Sequence, residues 1–96
     1  MKKAEWYIDV YDFHNSTSPV RKTLEEVGMP FEFHDLTLEP SAQAAVAAMR
    51  TIDGIEKSPR VYIRKGVHPR LDLHAMLVDP SKAVLKAKLR YHEIIP

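Results

Sequence analysis

Residues 58–64 of the chain read SPRVYIR, and this stretch decides the fold. Proline lacks a backbone N–H and tolerates a cis peptide bond at a cost of only about 0.5–1 kcal/mol. Pro59 therefore predicts a sharp approach to the residues that follow it. Residues 60–64 include β-branched and aromatic side chains, which are typical of a strand. The stretch thus predicts a strand that begins directly after Pro59, at a position where a cis bond is tolerated.

Upstream of this stretch, strand and helix patterns alternate. Residues 6–11 (WYIDVY) and 31–36 (FEFHDL) have the aromatic and alternating composition of strands. Between them, Ser18 and Pro19 predict the cap and first turn of a short helix. A second, alanine-rich helix is predicted over residues 40–50. Two strands joined through a helix are expected to be parallel, with a right-handed crossover.

Downstream, the pattern predicts a hairpin and then helices. Lys65 and Gly66 predict a turn into a short fourth strand around Val67. Residues 69–77 are predicted as a helix, and Ser81 caps another helix that runs to about residue 90. The predicted fold class is α/β, with a four-stranded mixed sheet in the order β-α-β-α-β-β-α and a C-terminal helical extension. We expect a domain over residues 1–78, with residues 79–96 packed on it or extending from it.

Length and charge narrow the range of functions. The 96 residues suit one compact domain. Lys and Arg total 14 against 13 Asp and Glu, so the net charge of +1 favours neither nucleic acid nor membrane as a partner. Glu5 and Asp9 interrupt the apolar residues near the start, which argues against a signal peptide. We therefore expect a cytoplasmic protein, and the oligomeric state stays open.

The order of these landmarks resembles the glutaredoxin and NrdH-redoxin branch of the thioredoxin-fold superfamily over residues 5–78. GMPFE at residues 28–32 is similar to the family's exit from its first helix. SPRVYI at residues 58–63 is similar to the segment that carries the family's cis-proline. Asp72 falls near the acidic residue that often opens the last helix of the family. The resemblance implies a thioredoxin-like fold of the glutaredoxin type.

The resemblance also implies a binding groove. In the resembled family, the backbone before the cis-proline pairs with a bound peptide or with glutathione. The corresponding residues here are Ser58 and Pro59, and their charged surroundings make Lys57, Arg60 and Asp72 candidate ligand contacts.

The chain contains no cysteine, so the chemistry of the resembled family is missing. Thiol–disulfide exchange needs a thiolate nucleophile, and we expect no dithiol–disulfide oxidoreductase activity and no catalytic residue. Counting back from Gly28 by the family's helix length places the redox pair on His14 and Thr17, whereas counting forward from Tyr11 places it on Ser16 and Pro19. Natural loss of the cysteines and their replacement by serine both stay open. The degenerate redox loop comprises His14, Asn15, Ser16, Thr17, Ser18 and Pro19.

Two functions remain open. The first is a redox-inactive binding or adaptor domain, which holds a protein or peptide partner between the start of the first helix and Pro59. The second is a glutathione-binding, transferase-like or redoxin-derived protein in which Ser16 or Ser18 replaces the cysteine. SPVRK at residues 18–22 resembles the first helix of some glutathione S-transferase N-terminal domains, where a serine hydroxyl contacts the glutathione thiolate. We favour the first function, and whether the protein is an enzyme stays open.

The histidines predict no metal site. Their spacings match no zinc signature, and surface histidines without a motif are usually solvated. We therefore expect no metal and, glutathione apart, no cofactor. The five histidines are His14, His34, His68, His74 and His92.

Overall fold

The protein is built around a four-stranded mixed sheet with three helices. The computed structural model describes residues 3–13 and 15–96, with the backbone alone at Asn15. A short 3₁₀ turn, Asn15–Thr17, precedes the first helix. The elements in chain order are β1 (Glu5–Asp12), α1 (Pro19–Glu26), β2 (Glu32–Asp35), α2 (Pro40–Asp53), β3 (Arg60–Val67), β4 (Arg70–Val78) and α3 (Lys82–Tyr91).

The strands lie in the order β2-β1-β3-β4. β1 and β2 are parallel and are connected through α1, whereas β1–β3 and β3–β4 are antiparallel pairs. The predicted α/β class, the four-stranded mixed sheet and the parallel first pair are therefore confirmed. β1 is central, and its carboxyl end leads directly into the 3₁₀ turn and α1.

The main core lies between the sheet and the helices α1 and α3. Ile8 and Val10 alternate along β1 and are buried against Leu24 of α1 and Leu85 of α3. Side chains alternate across a strand, so Asp9 and its neighbours of the same parity point to the opposite face. That face carries a second, smaller buried cluster formed by Leu36, Ala42 and Val46.

The helix boundaries follow the capping residues in the sequence. The Ser18 Oγ accepts a hydrogen bond from the Arg21 N–H at 3.3 Å, and the Ser81 Oγ accepts one from the Val84 N–H at 3.2 Å. α2 ends at Gly54, whose φ of 70° is left-handed and favours glycine. Within the ranges that the structure describes, none of the helices combines the length and apolar character needed to cross a membrane.

The predicted helix over residues 69–77 is wrong, because this segment forms most of β4. β4 pairs with β3 along its length, with Arg64 opposite Leu73 after a register shift. The hairpin turn also lies further along the chain than predicted. Gly66 is inside β3 opposite Leu71, and a Cβ at Gly66 would come within 2.1 Å of the Arg70 carbonyl oxygen.

The last helix is a regular part of the fold. Leu85 and Leu89 of α3 belong to the main core, so α3 packs on the sheet together with α1. Asp72 lies within β4 opposite Lys65, so the expectation that it falls at the start of a helix is wrong.

An ion pair between the buried Arg60 side chain and the more exposed Asp53 connects the end of α2 to the start of β3. The Arg60 side chain is fully buried, with its Nη1 2.7 Å from Asp53 Oδ2. Arg60 also donates to the Tyr62 hydroxyl at 3.2 Å and to the Ile55 carbonyl oxygen. The residue before it, Pro59, joins Ser58 through a cis peptide bond. These contacts fix the loop between α2 and β3.

Asp53→Asn is expected to lower the melting temperature at pH 7. Hydrogen bonds from the Arg60 guanidinium, and then from the Ile55 N–H, lower the pKa of Asp53 from 3.8 to about 2. Because the folded-state pKa is lowered, the carboxylate stabilises the fold above about pH 4, and this contribution is lost as the pH falls through about 2. The melting temperatures of Asp53→Asn and of the parent protein should therefore converge as the pH falls from about 4 to about 2. Thermal unfolding followed by circular dichroism measures both temperatures.

The matched control is Glu56→Gln, which removes an exposed carboxylate from the same loop. It should leave the melting temperature almost unchanged at each pH. A loss on Asp53→Asn that stayed constant from pH 7 to pH 2 would contradict the role of the ion pair.

Candidate functional site

A groove of about 210 Å³ lies where β1 leads into α1. Thr17, Ser18 and Pro19 form one side, at the start of α1. The Pro59 ring and the Asp79–Pro80 segment form the other side. The Pro59 carbonyl oxygen accepts a hydrogen bond from the Asp79 N–H at 2.7 Å, which fixes the two parts of this wall to each other.

The carboxylate of Asp12 lies at the base of the groove. Asp12 is the last residue of β1 and is only 8% exposed. Its Oδ2 accepts the Ser18 hydroxyl proton at 2.6 Å, and its Oδ1 accepts the Phe13 N–H at 2.7 Å. Ser18 is 2% exposed. The start of α1 therefore already has a negative charge beside it, where the helix dipole favours an anion.

The structure brings together part of the predicted redox loop and the predicted proline groove. Thr17, Ser18, Pro19 and Pro59 line the same cavity. Ser16 is exposed and does not line it. His14 and the side chain of Asn15 lie outside the part of the chain that the structure describes.

The candidate ligand contacts are separated from one another. Lys57 is exposed on the loop before Ser58. Arg60 is fully buried and points to Asp53, so it is not available to a ligand at the surface. Asp72 is near the start of β4, whereas the groove borders Asp79, just beyond the other end of that strand.

Ser58 has unused hydrogen-bonding groups. In the described part of the chain, neither its N–H nor its C=O takes part in a backbone–backbone hydrogen bond. Its side-chain Oγ is buried and has no hydrogen-bond partner there. The backbone before Pro59 can therefore still pair with another chain.

Phe13 extends the groove toward α2. It is 40% exposed and also borders a second cavity of about 250 Å³, lined by Leu36, Gln43, Val46 and Arg50. An extended segment lying across Phe13 would contact both cavities. Sequence reasoning missed Asp12 and Phe13, because residues at a strand end acquire this role only from the position of the following loop.

A polar cluster lies on the sheet face opposite α1. The cluster contains three side chains that can each offer one atom to a metal, and these atoms lie within 4.8 Å of one another: Asp9, Glu32 and His34. The Arg64 guanidinium pairs with the Asp9 Oδ2. Beside the cluster, burial and then the negative charge of Asp9 raise the pKa of Tyr11. The prediction that no metal site exists did not consider this set, because Asp9 is distant in the sequence from Glu32 and His34.

No protein-family model, curated protein or solved structure matches the chain.

Ser18→Ala is expected to destabilise the protein by about 2 kcal/mol, because it removes a helix cap and leaves the buried Asp12 carboxylate without its hydroxyl donor. Urea unfolding measures this loss. Ser81→Ala is the matched control, since it removes an exposed cap with no buried partner and should cost about 1 kcal/mol. Equal losses in the two variants would show that the Asp12–Ser18 contact adds nothing to capping.

Proposed function

We propose that this chain is a thioredoxin-like domain without redox chemistry that binds an extended peptide segment of a partner protein. The binding site is the groove between the start of α1 and Pro59, continued past Phe13 toward α2. The domain acts as a binding or adaptor module.

The strand order supports the thioredoxin-like assignment. A parallel β1–β2 pair joined by α1, followed by an antiparallel β3–β4 pair, is the arrangement that the resembled glutaredoxin family implies. Pro59 lies directly before β3, and by the sequence resemblance it corresponds to the family's cis-proline. Assignment to the glutaredoxin branch in particular depends on the sequence resemblance.

Ser58 provides the main support for peptide binding. Its backbone N–H and C=O lack backbone partners among the described residues, and they stand beside a lined groove. An extended peptide can satisfy such groups as an added strand does, while side-chain pockets select the sequence. The apolar walls offered by Phe13, Pro19 and Pro59 suit a segment with apolar side chains.

The absence of a thiol and the charge at the start of α1 favour binding over glutathione chemistry. The chain has no cysteine to form a mixed disulfide with glutathione. The Ser18 hydroxyl donates its proton to Asp12 and is 2% exposed. A glutathione thiolate placed beside Ser18 would meet the Asp12 carboxylate, and like charges repel each other.

Phe13→Ala is expected to weaken binding of a peptide ligand at least about tenfold, because an exposed aromatic ring that a partner covers contributes strongly to an interface. The ligand would come from a random-peptide library selected on the intact chain. Amide chemical shifts should change at Phe13, Thr17, Val20 and Ser58, and fluorescence titration would give the dissociation constants. Tyr91→Ala is the matched control, because it removes an aromatic ring that is 76% exposed on α3.

Two results would contradict the proposed groove. The first is a peptide that changes amide shifts of the protein only outside the groove. The second is a peptide that binds the Phe13→Ala variant with unchanged affinity. Failure to select any peptide from several libraries would contradict peptide binding itself.

Reduced glutathione at millimolar concentration is expected to leave the amide shifts of Thr17, Ser18 and Ser58 unchanged. Saturable shifts at these residues would instead favour the glutathione-binding function. Asp12→Asn is the informative variant in that case, because removing the negative charge should strengthen thiolate binding at this position.

A further inference from the structure

A second set of chemically reactive side chains lies away from the groove, on the sheet face opposite α1. In the parallel β1–β2 register, Asp9 lies opposite Glu32 and Tyr11 lies opposite His34. Residues two apart on a strand share a face, so these four side chains project from the same side of the sheet. The register itself therefore brings an imidazole and two carboxylates together from distant parts of the sequence.

The His34 ring is held in a fixed orientation. It stacks on the Tyr11 ring, with centroids 4.4 Å apart and an angle of 15° between the planes. Its Nε2 is 3.2 Å from Asp9 Oδ1, and its Nδ1 is 4.0 Å from Glu39 Oε2. Metal-binding histidines commonly donate their second ring N–H to a carboxylate, and the exposed Glu39 carboxylate lies just beyond hydrogen-bond distance of Nδ1.

His34 Nε2 and Asp9 Oδ1 lie close enough to share a proton or a metal ion. When Nε2 carries the ring proton, it donates a hydrogen bond to Asp9 Oδ1. When Nδ1 carries the ring proton, the Nε2 lone pair faces Asp9 Oδ1, and a metal ion can bind both atoms. Two ligand atoms on one tetrahedral zinc ion, each about 2.0–2.1 Å from the metal, are about 3.3 Å apart. The 3.2 Å separation of Nε2 and Oδ1 therefore suits a shared metal.

The charges of the cluster also favour a divalent cation. Three carboxylates, from Asp9, Glu32 and Glu39, face one guanidinium, from Arg64, which leaves two negative charges when His34 is neutral. Arg64 binds Asp9 through Oδ2, so Oδ1 remains available. Among the residues that the structure describes, Glu32 has no ion pair or hydrogen bond through its exposed side chain, and it can rotate toward a metal.

We propose that Asp9, Glu32 and His34 form a zinc site, with His34 Nε2, Asp9 Oδ1 and a Glu32 oxygen as ligands. An imidazole with carboxylates suits zinc better than magnesium or calcium, which prefer oxygen ligands alone. Three protein ligands leave a fourth tetrahedral position for water or a ligand of the metal. This site does not depend on the proposed peptide groove.

Isothermal titration of Zn²⁺ into the chelator-treated full chain tests the site. We expect one ion per chain, and at least about tenfold weaker binding in both His34→Gln and Glu32→Gln, because each removes a ligand. His74→Gln and Glu56→Gln are matched controls on other parts of the surface and should bind as the parent protein does. Glu32 is exposed, so its variant remains informative even if His34→Gln affects folding.

The absence of saturable binding would overturn the proposal, and the cluster would then be a network of hydrogen bonds and ion pairs only. Binding that is unchanged in Glu32→Gln, or weakened equally in His74→Gln, would overturn it as well. Co²⁺ in place of Zn²⁺ should give visible absorption bands of a four-coordinate ion, and these bands should be lost in Glu32→Gln.

Discussion

The guanidinium of Arg60 is enclosed by protein although it carries a permanent charge. Removing such an ion from water costs several kcal/mol unless its hydrogen bonds are replaced. Asp53, the Ile55 carbonyl and the Tyr62 hydroxyl replace those of its two terminal nitrogens, whereas the buried Nε has no partner among the described residues. This requirement fixes the end of α2 against the start of β3, and Pro59 is the next residue along the chain. The Arg60–Asp53 ion pair therefore helps to position Pro59, which forms part of one wall of the groove.

The end of β1 shows how the same framework can support different chemistry. Ile8, Val10 and Asp12 share one face, and the first two are core residues, while the third is a carboxylate at the start of α1. A reactive thiol at this place gains from the positive end of the helix dipole. In this chain the Asp12 carboxylate lies near the positive end of the helix dipole instead, and it accepts a hydrogen bond from the Ser18 hydroxyl. The chain has no cysteine, so the groove offers shape and backbone groups but no thiol.

The sequence predicted elements well where local signals agree. Ser18 with Pro19 and Ser81 set helix starts through capping, which depends on neighbouring residues alone. β4 was predicted as a helix because Leu, Ala and Met favour helices in isolation. Pairing with β3 decides for a strand, and a register shift near Leu73 places Leu73 and Leu77 on opposite faces, so no single period-two face runs along β4.

The candidate sites were harder to predict than the fold, since they depend on contacts between distant residues. Thr17, Ser18 and Pro59 were identified through the resemblance, and they do line one cavity. Arg60 was expected to contact a ligand. Its side chain points into the protein instead, because it pairs there with the Asp53 carboxylate. Asp9 and His34 meet only through the parallel register, which no local pattern reveals.

The small core beneath α2 has a consequence for how the molecule opens. Only Ala42 and Val46 of this helix are buried, so little apolar surface holds it to the sheet. Regions with few buried apolar contacts open locally at a free energy below that of global unfolding. Amide protons of α2 should therefore exchange with solvent faster than those of β1. The Asp53–Arg60 ion pair attaches the end of α2 to β3. Acid that protonates Asp53 should therefore detach α2 before the sheet unfolds.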